Sequence, residues 1–267
     1  MKIGFIGAGN MAMAMIQGML SKGFADGSNI MISRRNSAER VQAAQKFGIL
    51  ETGDNVHLVK ACDVIILAVK PYFLEQVIHE IKPYAQGKSF ISVAAGWSFA
   101  MLKEAFSPQQ IHLLRVTPNT PALVGEGVTA ICEETTFIPE HLAWAKELFG
   151  TLGTVHVLPE RLFDAVVAVS GSSPAYVYAF IEAMGDGAVR LGLPRAMAYE
   201  MAAQAVLGAA KMVLSTGTHP GALKDAVCSP AGSTIEAMYI LEKNGFRGTV
   251  IEAMDACNEK LKKMAFK

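Results

Sequence analysis

The chain has 267 residues, 51% of them hydrophobic, and its 24 basic and 24 acidic side chains cancel. That length accommodates two modest domains with a sizeable core, and the neutral balance offers no electrostatic footprint for nucleic acid or an anionic membrane. No apolar run reaches the roughly 18 residues of a membrane span, so a small-molecule ligand is expected.

Ile3, Phe5 and Ile6 read as a short buried strand, and Gly7-Ala8-Gly9-Asn10-Met11-Ala12 passes from it directly into a helical pattern through Met13, Ile16, Met19 and Leu20. Gly7-x-Gly9-x-x-Ala12 is the dinucleotide fingerprint in its G-x-G-x-x-A form. Gly7 permits the tight turn, Gly9 lets backbone approach a pyrophosphate, and Ala12 lets helix and strand lie close. The unpaired N–H groups of the helix start then face the phosphates. Asn29 to Ser33 reads as a second strand, ending in Ser33-Arg34-Arg35. At that position an acidic residue takes the ribose hydroxyls of NAD, and an arginine accommodates the 2′-phosphate of NADP. A hydroxyl and two guanidiniums favour the phosphate, hence NADP over NAD; a solvated arginine pair is the plainer alternative.

Asn36 or Ser37 caps a helix over 38–47 ending at Gly48, a short strand covers 49–52, and Asp54-Asn55 opens another helix. Cys62 to Val69 is an apolar run too short for a comfortable helix and reads as a central parallel strand. Its exit, Ala68-Val69-Lys70-Pro71, falls at a strand carboxyl end, where open parallel sheets bind ligands; Lys70 is either a ligand contact or a solvated strand end. A helix over 74–84, a strand over 89–94, a helix over 98–106 and a strand over 112–116 continue the alternation of a doubly wound α/β domain. The loop Thr117-Pro118-Asn119-Thr120-Pro121 follows, its two prolines holding Asn119 and Thr120 either toward a ligand or merely in a rigid connection. Strands over 127–131 and 154–158, around a helix over 140–148, extend the sheet edge.

Beyond Pro159 only helical patterns remain, divided by Gly and Pro: one from Ser172-Ser173-Pro174 to Gly192, one from Pro194 to Gly217, one over 235–243 closed by Gly245, and one over 249–264. The division is therefore 1–159, a Rossmann-type dinucleotide-binding domain, and 160–267, an all-α domain. The first two of these helices are apolar on nearly every side, the second for example through Met197, Met201, Val206 and Leu207. A domain of about a hundred residues can hardly bury such helices alone, which argues for an obligate homodimer; a compact monomeric bundle with thick loops is the alternative. Ser229, Pro230, Gly232, Ser233 and Thr234 crowd small residues and hydroxyls at a helix start, either as a carboxylate site or as a capping loop. Cys62, Cys132, Cys228 and Cys257 are scattered without a C-x-x-C pair and read as buried or free thiols in a reducing cytoplasm. The six histidines show no metal-ligand spacing.

Taken together, these motifs resemble the pyrroline-5-carboxylate reductases of proline biosynthesis. The resemblance runs over essentially the whole chain: the glycine turn, Ala68 to Pro71, Thr117 to Pro121, Ser170-Gly171-Ser172-Ser173-Pro174-Ala175-Tyr176, and above all Leu223-Lys224-Asp225-Ala226-Val227-Cys228-Ser229-Pro230-Ala231-Gly232-Ser233-Thr234-Ile235. The last block is the family-specific one; Ala231 departs from it, where many members carry glycine. The resemblance implies reduction of the C=N bond of 1-pyrroline-5-carboxylate to L-proline by NADPH or NADH, with hydride passing from nicotinamide C4 to the imine carbon. It implies an intertwined homodimer, often assembled into rings of dimers, with each active site at the dimer interface. It implies cofactor binding by Ile6, Gly7, Ala8, Gly9, Asn10, Met11, Ser33, Arg34, Arg35, Asn55, Ala68, Val69, Lys70 and Pro71. Gly232, Ser233 and Thr234 would bind the substrate carboxylate, and the Thr234 hydroxyl, placed near the ring nitrogen, would be the catalytic group. Two rivals remain: a hydroxyacid dehydrogenase or broader imine reductase using Lys70 or a helical lysine as acid, and a cofactor-binding sensor without turnover.

Overall fold

The structure, a computed structural model, describes residues 1–265. It divides into two compact units, Met1–Gly171 with the chain's end from Asn258 onward, and Ser172–Cys257.

The first unit is an eight-stranded sheet of β1 (Ile3–Ile6), β2 (Ile30–Ser33), β3 (Leu50–Thr52), β4 (Val64–Leu67), β5 (Ser89–Ser92), β6 (His112–Thr117), β7 (Gly127–Thr135) and β8 (Gly153–Leu158). The order is β3-β2-β1-β4-β5-β6-β7-β8. Every pairing is parallel except β6 with β7, which is antiparallel. Six helices flank the strands: α1 (Asn10–Ser21), α2 (Ser37–Phe47), α3 (Asn55–Ala61), α4 (Pro71–Ile81), α5 (Phe99–Phe106) and α6 (Pro139–Gly150). One face of the sheet packs Ile3, Phe5 and Ile32 against Met15, Ile16 and Phe149. The other packs Ile6, Ile65 and Phe90 against Leu58, Leu74 and Phe106. β1 and β4 are buried at every residue, the condition that makes central parallel strands read as unbroken apolar runs.

Local chemistry sets the element ends. Asn36 accepts a hydrogen bond from the Glu39 backbone N–H and caps α2, and Gly48, left-handed, closes it. Asp54 caps α3 by accepting from Val56 and His57, and Ser98 caps α5 by accepting from Met101. Each supplies an acceptor to a helix start whose N–H groups have none. After β8 a one-turn helix, α7 (Phe163–Val166), leads out of the sheet.

The second unit comprises α8 (Ser173–Arg190), α9 (Arg195–Thr216), α10 (Pro220–Val227), α11 (Ser233–Lys243) and most of α12 (Phe246–Ala265). α8 and α9 pack closely because Gly185 has no side chain: a Cβ there would lie 2.5 Å from the Tyr199 ring. α10 is a helix beyond those expected from the sequence pattern; Pro220 at its start and His219 accepting from Gly221 initiate it. Most of α9 is uncovered within the chain, with only Ala198 and Ala202 buried.

Candidate active site

The strand register gathers three segments far apart in sequence. Ile6 pairs with Ser33 on one side and Leu67 on the other, so Gly7, Arg34 and Ala68 emerge side by side at the carboxyl ends of β2, β1 and β4. The Gly7 N–H donates to Ser33 O at 2.9 Å and the Ala68 N–H to Ile6 O at 2.8 Å, which locks the three exits together. Between β1 and β4 the strand order reverses, and the crevice above such a switch point is where open α/β sheets bind ligands. A cavity of about 730 Å³ opens there, within the usual range of cofactor and ligand pockets. A larger cavity, about 850 Å³, lies at the amino ends of β5 and β6 beside Gln86, Pro108 and His112. It occupies the wrong end of the sheet for a nucleotide, and the glycine turn beside it, at Gly87, leads into a strand instead of a helix start.

The two fingerprint glycines answer different requirements. Gly7 has φ +96°, and a Cβ on it would lie 2.7 Å from the Ala68 carbonyl, so the fold itself excludes any other residue. Gly9 has an ordinary φ of −86° and nothing within 4 Å of where its Cβ would be. Backbone geometry therefore does not demand glycine there; the open space lies over the start of α1, whose N–H groups no side chain caps. An uncapped helix start beneath an empty cradle suits a pyrophosphate. Ala12, fully buried, seats the helix against the strand.

At the cavity mouth, Ser33 donates to Asn55 Oδ1 at 2.5 Å, and the Asn55 amide donates to Glu80 at 2.9 Å. Arg34 Nη1 donates to the Ala8 carbonyl at 2.8 Å, and its Nη2 forms an ion pair with Glu39. Arg35 lies over the Phe73 ring, 4.4 Å from its centroid, and donates to Gln76 at 3.0 Å. A flat cationic pair at the mouth fits a nucleotide bearing a 2′-phosphate. All fourteen residues expected to hold cofactor, Ile6 to Met11, Ser33 to Arg35, Asn55 and Ala68 to Pro71, line this one cavity.

Phe73, Val77, Gly53 and the segment Val93-Ala94-Ala95 line it as well. The last of these follows β5, and the strand-end rule that selected Ala68 to Pro71 would have found it. Phe73 lies on a helix and carried no such signal. The proline-rich loop divides: Asn119 is buried, donating to Ser170 O at 2.9 Å and accepting from the Val128 N–H at 2.8 Å, so it is structural. Thr120 is exposed and lines the cavity.

In the second unit, Gly232, Ser233 and Thr234 form the start of α11, which no side chain caps. The preceding turn is tight: the Gly232 N–H donates to Ser229 O at 3.0 Å, and a Cβ on Gly232 would lie 2.4 Å from Ser229 Oγ. Ala231 has φ +56°, in the left-handed region, and is the one non-glycine residue with positive φ among those described. That conformation costs an L-residue roughly 1–2 kcal/mol, which is the physical reason a glycine belongs there. Lys224 pairs with Asp225 at 2.8 Å, and its hydrogen bond holds the Asp225 carboxyl below its ordinary range.

Two family models match separate stretches of the chain. Residues 160–264 match the family described as pyrroline-5-carboxylate reductase dimerisation, and residues 2–96 match that described as NADP oxidoreductase coenzyme F420-dependent. The pyrroline-5-carboxylate reductase of Escherichia coli is 44% identical over 265 residues, covering 99% of this chain and 98% of the relative. The chain belongs to the pyrroline-5-carboxylate reductase family. The Methanosarcina acetivorans reductase is 42% identical over 267 residues, covering 100% of this chain and 98% of its own. Among solved structures, the Plasmodium falciparum pyrroline carboxylate reductase with NADP bound superposes with a TM-score of 0.91 at 32% identity, covering 99% of this chain and 98% of that one. The cofactor named with that relative is the one the cavity above the glycine turn of this family member fits.

Proposed function

We propose that this chain reduces 1-pyrroline-5-carboxylate to L-proline with NADPH, accepting NADH as well. What carries the reading is the presence in one chain of an anion-ready cofactor cavity in the first unit and of a hydroxyl-bearing, uncapped helix start, Gly232-Ser233-Thr234, in the second. When bound, NADPH supplies the hydride that the imine carbon receives. The residues of the chain do the rest. Gly9 and the start of α1 seat the pyrophosphate; Arg34 and Arg35 meet the 2′-phosphate; Ser33 and Asn55 border the adenosine ribose; Ala68, Val69, Lys70 and Pro71 support the strand-end side of the cavity. The backbone N–H groups of Gly232, Ser233 and Thr234 hold the substrate carboxylate, and the Thr234 hydroxyl orients the ring nitrogen. A cyclic imine that arrives protonated needs orientation and shielding from water more than a strong acid, which agrees with a site built from hydroxyls and backbone donors.

We take residues 1–159 as the cofactor domain and 160–267 as the domain that binds substrate and pairs two chains. The dimerisation match and the uncovered apolar surface of α9, where Met201 is 56% and Leu214 83% exposed, support a homodimer. Sedimentation at assay concentration separates a free dimer from a ring of dimers. Four free cysteines agree with a reducing cytoplasm, and no helix among the described residues is long and apolar enough to cross a membrane.

The test is oxidation of NADPH on adding racemic pyrroline-5-carboxylate to purified protein, with proline identified as product and with NADH and a hydroxyacid pair run in parallel. Turnover with the imine is expected. Absence of turnover while cofactor binds rejects the reading. Thr234→Ala should lower kcat by roughly 100-fold, the scale for losing one positioned donor, with NADPH affinity unchanged; loss of cofactor affinity with surviving turnover would remove Thr234 from the substrate.

A further inference from the structure

Glu39 lies outside the segments that carry the resemblance, yet the structure brings its carboxylate onto the Arg34 guanidinium at the mouth of the cofactor cavity. It is not a wandering surface group. It sits in the first turn of α2, its backbone N–H donating to Asn36 Oδ1 at 3.2 Å and its Oε1 accepting from Asn36 Nδ2 at 2.9 Å. This reciprocal capping arrangement fixes the side chain. The Arg34 guanidinium is thereby held from two sides, by the Ala8 carbonyl and by Glu39. The neighbouring Arg40 is neutralised separately by Glu51, so Glu39 acts on Arg34 alone. Both members of the pair reach solvent, with 35% and 46% of their side chains exposed; Arg34 lines the cavity, and Glu39 stands against it just outside that lining.

The two cofactors would see this pair differently. A 2′-phosphate brings nearly two negative charges; it finds one guanidinium already half-neutralised and a fixed carboxylate beside it. A 2′-hydroxyl brings no charge but needs an acceptor, and a carboxylate near the end of the second strand is the group that takes ribose hydroxyls. We infer that Glu39 determines cofactor discrimination: it withholds part of the Arg34 charge from NADPH and offers NADH an acceptor, so that neither cofactor is excluded. This rests on the reading that Arg34 meets the 2′-phosphate.

The experiment measures Kd for NADPH and for NADH by calorimetry on the full chain, its Glu39→Gln variant and its Arg34→Ala variant. Glutamine keeps an oxygen for the Asn36 amide, so the capping arrangement survives. Glu39→Gln should tighten NADPH and weaken NADH, raising the ratio of the NADH to the NADPH dissociation constant about five- to tenfold. A ratio that is unchanged or falls overturns the inference. Arg34→Ala separates the two claims: it should weaken NADPH far more than NADH. Equal losses there would reject the phosphate reading itself, whereas discrimination by Arg34→Ala together with an unmoved ratio in Glu39→Gln would reject the role of Glu39 alone.

Discussion

Gly7 and Gly9 stand two residues apart in one motif, yet only Gly7 is dictated by backbone strain and the Ala68 carbonyl. Gly9→Asp tests the distinction directly. Aspartate is a good residue at the cap position of α1, where no side chain caps the helix now, so melting temperature should hold or rise. NADPH affinity should fall about 100-fold or more, because a carboxylate then occupies the phosphate seat. A variant that binds NADPH normally would remove the pyrophosphate from that position. Cys62 offers a second test at this scale. It is 2% exposed, and burial, reinforced by the Asp63 carboxylate, pushes its thiol from 9.0 up to about 11. The folded chain keeps this proton over a range in which the unfolded chain loses it. The associated stability is thus complete below pH 9 and lost as pH rises toward about 11. Thermal melts of the native chain and Cys62→Ala across that window should show the gap between them narrowing as pH rises; a constant gap would mean the thiol is not shielded.

Among the elements, the connection after β8 is held by one ion pair, its arginine buried and its carboxylate half-buried. Arg115 on β6, 7% exposed, donates from Nη1 to Glu160 at 2.5 Å and lies 4.5 Å from the centroid of the Phe163 ring on α7. The same Glu160 oxygen accepts from the Phe99 N–H at 2.6 Å, at the start of α5. One carboxylate therefore ties the outgoing chain to a strand and to a helix, while Arg115 Nε has no hydrogen-bond partner among the described residues. Breaking such a pair from one side leaves a buried charge uncompensated and costs about 3 kcal/mol or more. Glu160→Ala should lose that much in urea unfolding, and Glu160→Gln clearly less, since its amide oxygen still accepts from Phe99. Equal losses would mean the lost charge accounts for all of it and the Phe99 hydrogen bond for none. The ends of these elements were well marked in the sequence, by Asn36, Asp54, Ser98, Gly48 and Gly217, because capping is a local interaction. The antiparallel run of β7 and the existence of α10 were not, because strand direction depends on a distant neighbour and a single helical turn or two leaves too little periodicity to read.

For the whole molecule, the two helices that read as apolar on every side are left uncovered by the single chain: Leu191, where α8 ends, is 88% exposed, besides Met201 and Leu214 on α9. Surface of that kind is expected to be covered by a second copy. If each active site combines the cofactor domain of one subunit with the Thr234 loop of the other, two inactive variants should complement. Gly9→Asp and Thr234→Ala chains unfolded and refolded together would form mixed dimers holding one intact site, with activity returning to about a quarter of the native level. Activity that stays at the level of the separate variants would place each site within one subunit.

The sequence by itself determined the alternation of strands and helices, the change to an all-helical second half, the glycine turn and the family, since each rests on local pattern or on a contiguous block. It also named the residues that line the cavity at three strand ends, because a parallel sheet always delivers those ends to one edge. Tertiary structure alone decided how those ends are used. It set the register that aligns Ile6, Ser33 and Leu67, withdrew Asn119 into the fold while leaving Thr120 at the cavity, and brought Phe73 under Arg35 and Glu39 onto Arg34. These contacts join residues whose separation along the chain carries no periodic signal, so only the packed structure contains them.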